Sequence, residues 1–118
     1  MSNASSPVER RRTPRRQPAL GTILRLAEVP AGETDQVALV WNISIGGVSF
    51  LYPRPFSPGT ELRGDLVSKR AAVSIPVVMR VTHSVALQTG DYVMGCQFRE
   101  PITAEQMGHF VDEALVGL

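Results

Sequence analysis

From Leu20 to Ala27 the chain alternates, with Leu20, Thr22, Leu24 and Leu26 on one side and Gly21, Ile23, Arg25 and Ala27 on the other. Successive side chains of a strand point to opposite faces, so this period of two predicts a β-strand. A polar loop, Pro30-Ala31-Gly32-Glu33-Thr34-Asp35, separates it from residues 36–43, a run rich in β-branched and aromatic side chains. Gly46-Gly47 breaks that run, and residues 48–52 resume it. Pro53, Pro55, Pro58 and Gly59 mark a turn-rich connection. Residues 60–67, 73–85 and 92–98 read as further strands, with turns at Ser68-Lys69-Arg70 and Gln88-Thr89-Gly90-Asp91. Six short strands with no helical period between them predict a small antiparallel barrel or sandwich.

The period changes near the C-terminus. Thr103 and Gln106 fit a capping box, in which each side chain satisfies the other residue's backbone N–H. Met107, Phe110, Val111, Ala114 and Leu115 follow i, i+3, i+4, i+7, i+8 spacing. They predict a helix over residues 103–118 with one apolar face. That face closes one end of the barrel or packs on a partner, and a small domain's need for apolar contacts favours the first.

Residues 1–17 carry few apolar side chains and two prolines, Pro7 and Pro14, and read as an arm. Ser2-Asn3-Ala4 fits an expression scar, so residues 1–8 are taken as a disordered arm or tag. Residues 9–17 form the basic arm, 18–102 the barrel and 103–118 the helix, making one domain of residues 9–118. Residues 1–16 hold five Arg and one Glu, a charge of +4. The remaining residues hold seven Lys and Arg against ten Asp and Glu, a charge of −3, which leaves the chain at +1. Such an arm meets nucleic acid, an acidic membrane or a phosphorylated small molecule, or is a solvated tail. No apolar run reaches the roughly eighteen residues of a membrane span. No apolar stretch follows the arginines as a secretory signal requires. A single cysteine, Cys96, rules out an internal disulfide. These points predict a cytoplasmic protein.

Two polar motifs carry the candidate chemistry. The first is Arg10-Arg11-Arg12-Thr13-Pro14-Arg15-Arg16. Pro14 turns Thr13 away from helical geometry, so the arginines sit on an extended, wrapping segment. The second is Asn42-Ile43-Ser44-Ile45-Gly46-Gly47. Strand alternation places Asn42 and Ser44 on one outward face and sends Trp41 and Ile43 into the core. Gly46 and Gly47 allow a tight bend and close approach of another group. Arg forks onto guanine O6 and N7 or onto two phosphate oxygens. The guanine edge with N1–H and N2–H₂ needs acceptors, and Asn42 offers a carbonyl and Ser44 a hydroxyl. Together the motifs suit a guanine-containing phosphate ligand.

These residues resemble the PilZ domain family. The carrying pattern is Arg-x-x-x-Arg, here Arg11 to Arg15, followed by Asp/Asn-x-Ser-x-x-Gly, here Asn42 to Gly47. The flanks agree: Glu9-Arg10, Gly47-Val48-Ser49-Phe50, Pro58-Gly59-Thr60 and Val93-Met94-Gly95-Cys96-Gln97-Phe98 are similar to the family's. The resemblance covers residues 9–116. It implies an all-β fold with one C-terminal helix, a six-stranded antiparallel β-barrel of the split-barrel type. It also implies a receptor that binds cyclic di-GMP on the barrel's outer surface, without catalysis or cofactor. By carry-over Arg11 and Arg15 hold phosphate and guanine, Asn42 and Ser44 read a guanine edge, and Gly47 admits the ligand. Arg10 assists if the ligand binds as an intercalated dimer. Arg12 and Arg16 also satisfy the spacing, but Pro14-Arg15 matches the family's Pro-Arg step. Asn42 stands where many members have Asp, and a neutral acceptor makes the weaker bond.

The rival reading is a PilZ-like module that binds a protein or a fused effector domain through Met107, Phe110 and Val111, indifferent to the nucleotide. A barrel binding nucleic-acid polymers is disfavoured, because no aromatic residue stands beside the arginines for base stacking. His83 and His109 lie far apart and form no zinc spacing. His109 falls off the apolar helix face and reads as exposed. Cys96 shares a strand face with Tyr92, Met94 and Phe98 and reads as a buried thiol. Arg80 reads as an outward strand cation, a reading favoured over a contact with ligand phosphate.

Overall fold

The computed structural model describes residues 16–28 and 34–111. The alternating stretches form β1 (Thr22–Glu28), β2 (Thr34–Ser44), β3 (Gly47–Tyr52), β4 (Glu61–Ser68), β5 (Val73–Ala86) and β6 (Tyr92–Phe98). All neighbours are antiparallel, and the order β1-β2-β3-β6-β5-β4 closes into a barrel. The period of two is plainest in β4, where Leu62, Gly64, Leu66 and Ser68 are buried and Glu61 and Arg63 exposed. Leu24, Leu26, Ile43, Phe50, Leu66 and Met94 are fully enclosed and form the centre of the core. Pro76 sits within β5, opposite Asp65 of β4, in a stretch that β6 does not pair with. Its missing N–H therefore breaks no ladder.

Three register shifts interrupt the ladders, between Val40 and Asn42, between Val81 and His83, and between Leu26 and Glu28. The first corrects a sequence expectation. Trp41 is the extra residue of the bulge and is 52% exposed, not in the core. A bulge inserts one residue into a strand and shifts the phase of its alternation. Val40 before it and Ile43 after it therefore both face inward. Leu20 also departs from its strand pattern, at 93% exposure. Gly21 adopts φ +85° in the turn before β1, so Ala19 is buried in place of Leu20.

The capping box forms as the residues predict. Thr103 Oγ1 accepts from Gln106 N at 3.0 Å, and Gln106 Oε1 accepts from Thr103 N at 2.8 Å. The helix it opens, α1 (Ala104–Met107), is far shorter than the apolar period suggests. His109 N and Phe110 N donate three residues back, to Gln106 O and Met107 O, tightening the chain into a turn. The Phe110 carbonyl then accepts from Ala19 N at 2.9 Å and Thr22 Oγ1 at 3.1 Å, and the Val111 carbonyl from Arg70 Nη2 at 3.2 Å. Acceptors captured by the barrel are lost to a continuing helix. Met107, Phe110 and Val111 are nevertheless buried, so they close the barrel end and present no free face to a partner. Ala114 and Leu115 lie outside the described residues. His109 is half-buried, its ring edge-on to Phe110, where exposure was expected.

Candidate ligand-binding site

Pairing of β1 with β2 ends at Ile23 and Leu39, which leaves the last turn of β2 without β1 beside it. The end of the basic arm takes that place. Arg16 N donates to Ile43 O at 2.8 Å, and Ile43 N donates to Arg16 O at 3.0 Å. The arm thus joins the barrel at the residue between Asn42 and Ser44. Arg10, Arg11 and Arg15, expected as ligand contacts, lie outside the described residues, as does Arg12.

The strand motif is arranged differently from its sequence expectation. Asn42 is half-buried beside the bulge and pairs with Ser49 of β3. Ser44 is only 5% exposed. Its hydroxyl accepts from Gly46 N and Gly47 N, both at 3.2 Å, and donates to Gly47 O at 3.4 Å. Ser44 therefore braces the β2–β3 turn, and its hydroxyl is engaged there. That turn is anchored in turn, since Gly46 O accepts from Phe98 N and Ile45 O from Ile102 N, each at 2.9 Å. Gly47 faces the barrel wall: a Cβ there would stand 2.2 Å from the Cys96 carbonyl oxygen. The close approach that Gly47 allows is that of β6.

The cross-strand register builds an outer face from residues far apart in sequence. One row runs Asn42, Ser49, Gly95, His83 and the next Ser44, Gly47, Gln97, Arg80. Adjacent strands lie roughly 4.8 Å apart, so each row spans three such steps. Small residues, Ser49 and Gly95, form the middle of the first row, and Gly47 with the exposed Gln97 that of the second, with Asn42 at one side and the exposed Arg80 and His83 at the other. Beside Arg80 opens a cleft of about 330 Å³ lined by Gly59, Glu61, Gln97 and Arg99 among others. Glu61 there holds the guanidiniums of Arg99 and, at 3.5 Å, Arg63. Sequence reasoning left His83 aside, because only β5–β6 pairing brings it into line with Asn42.

Behind this face the Cys96 thiol is buried, and burial pushes its pKa up from about 9 to about 12. A thiol held protonated is no nucleophile near neutral pH. Among the described residues no group of three or more His, Cys, Asp or Glu could hold a metal ion. No helix among them is long and apolar enough to cross a membrane.

A model of the PilZ domain matches residues 9–114, nearly the whole chain. The chain belongs to the PilZ domain family. Its all-β barrel with a short C-terminal helix is the PilZ architecture. Among solved structures the barrel resembles a MrkH–c-di-GMP complex from K. pneumonia, at TM-score 0.66 and 18% identity over 90% of this chain and 51% of that one. A second MrkH structure, described as a c-di-GMP-dependent transcription regulatory factor, matches at TM-score 0.61 and 17% identity over 91% of this chain and 50% of that one. At such identities the likeness is one of fold, and this PilZ chain spans about half the length of either structure. No curated protein matches it in sequence.

Proposed function

We propose that this chain is a receptor module for cyclic di-GMP, signalling by closure of its basic arm and carrying out no catalysis. The observation that carries the reading is the pairing of Arg16 with Ile43, which joins the arm to the strand motif. Membership of the PilZ family and the ligand named in the MrkH complex support it. The Pro14-Arg15 step, similar to the family's, favours Arg11 and Arg15 over Arg12 and Arg16 as the ligand's cations, with Arg10 beside them. Their guanidiniums fork onto phosphate oxygens or guanine O6 and N7. Asn42 accepts from the opposite guanine edge, while Ser44 and Gly47 act by holding the turn in place. Ordering the arm costs on the order of 1–2 kcal/mol per residue, which the charged contacts offset. Closure changes the surface offered to a partner or a linked domain.

Titration calorimetry with cyclic di-GMP tests this reading on the whole chain. Saturable heat is expected, and Arg15→Ala should remove it while leaving the thermal melt unchanged. Absence of heat with the intact arm would refute the receptor role. Undiminished affinity in Arg15→Ala would take the arm out of the site.

A further inference from the structure

His83 occupies an unusual seat. It lies at the β5 bulge opposite Gly95 of β6, in the row that begins at Asn42. A Cβ built on Gly95 would stand 2.1 Å from His83 Cε1, 2.5 Å from Nε2 and 2.7 Å from Nδ1. Three ring atoms at such similar distances mean that the imidazole lies flat across the Gly95 backbone. Glycine within a strand weakens it, and here glycine is what lets the ring lie down. Thr82 fixes the ring's orientation. Its Oγ1 donates to Gly95 O at 3.0 Å and lies 3.1 Å from His83 Nδ1. A hydroxyl has one hydrogen, so with Thr82 donating to Gly95 O the Nδ1 contact is one in which the ring donates to Thr82 Oγ1. One face of the ring is therefore covered by β6, and the other is open, since His83 is exposed.

We propose that His83 is a ligand-positioning plate whose open face receives a purine ring of the bound cyclic dinucleotide. The inference rests on the receptor reading above and adds a residue that neither polar motif contains. A cyclic dinucleotide carries two bases. Asn42 holds the edge of one, and His83, roughly 14 Å away across three strand spacings, takes the face of the other. The floor between them is Ser49 and Gly95, small enough to leave room for the ligand's ring. Histidine is among the side chains on which unpaired bases stack. A ring already fixed by Gly95 and Thr82 loses little further freedom when a base settles on it.

Calorimetry with cyclic di-GMP on wild type, His83→Ala, His83→Phe, Gly95→Ala and the Gly95→Ala/His83→Ala double variant, each with a thermal melt, tests the plate. His83→Ala should weaken binding about tenfold or more, the range expected for one stacked base, with the fold retained. His83→Phe should restore it, because a flat ring suffices. Gly95→Ala should weaken binding in the wild-type background and have no further effect on His83→Ala, because its only action on the ligand is through the ring. Unchanged affinity in His83→Ala while the wild type binds overturns this inference and leaves the receptor reading intact. A His83→Phe variant as weak as His83→Ala also overturns it, since a hydrogen bond and not stacking would then be at work. Failure of the wild type to bind removes the receptor reading and the plate together.

Discussion

Ser44 shows how a residue's neighbours decide its role. As a letter in Asn-x-Ser-x-x-Gly it offers a hydroxyl to a ligand. In the folded chain that hydroxyl is spent on two turn amides, Gly46 and Gly47. A buried donor left without its acceptor costs about 1–3 kcal/mol. Ser44→Ala is therefore expected to lower unfolding stability by about that much, read from urea denaturation. A variant that keeps its stability but loses cyclic di-GMP affinity would show instead that the hydroxyl serves the ligand. Trp41 makes the converse point. It is the largest apolar side chain of β2, yet the bulge turns it to solvent beside Asn42, and the core is built by Val40 and Ile43 around it.

Among the elements, the β3–β6 seam determines the shape of the candidate site. Gly47, Ser49 and Gly95 all lie on it; Gly47 admits no side chain, and Gly95 admits one only if the His83 ring moves. A methyl group on Gly47 meets the Cys96 carbonyl, a backbone atom that cannot rotate away. Gly47→Ala should therefore part the two strands, at a cost of about 3 kcal/mol or more. Gly59 is the control, with φ +94° and nothing within 4 Å of a built Cβ. Gly59→Ala should cost only the left-handed backbone penalty, about 1–2 kcal/mol. Equal losses for the two variants in denaturant would contradict the assignment of Gly47 to the seam.

At the scale of the whole molecule, barrel closure draws both ends of the described chain to one place. Pro18 bridges Val111, Ala19 and Thr22 hold the Phe110 carbonyl, and two residues earlier Arg16 pairs with Ile43. Arg16, the strand motif and the closing turn are thus one connected structure. The closed barrel also encloses Cys96. Its pKa rises from about 9 to about 12 through burial. Above about pH 9 the unfolded chain releases the thiol proton while the folded chain keeps it, so rising pH favours unfolding. This contribution to stability is complete below about 9 and lost as pH climbs through about 12. In denaturant titrations across that window, the stability advantage of wild type over Cys96→Ala should shrink. A constant difference would mean that the thiol is not shielded.

Features whose cause is local were legible in the sequence. The alternation at Leu24 and Leu26 and the burial of Cys96 follow from a period of two. The Thr103–Gln106 capping box needs only residues three apart. The six strands follow from short alternating runs separated by glycine and proline turns, which left barrel and sandwich open until the family resemblance favoured the barrel, and the arm's charge needs no structure at all. What depends on pairing between distant strands was decided by the tertiary structure alone. The bulge that ejects Trp41 exists only against β3, the steric demand on Gly47 comes from β6, and the seat of His83 is a glycine on the next strand. The helical period past Met107 met the same limit, because Ala19, Thr22 and Arg70 capture the carbonyls of Phe110 and Val111. One chain's periodicity sets which side of a strand a residue takes. Only the neighbouring strands, through register and close backbone contact, set what that residue meets there.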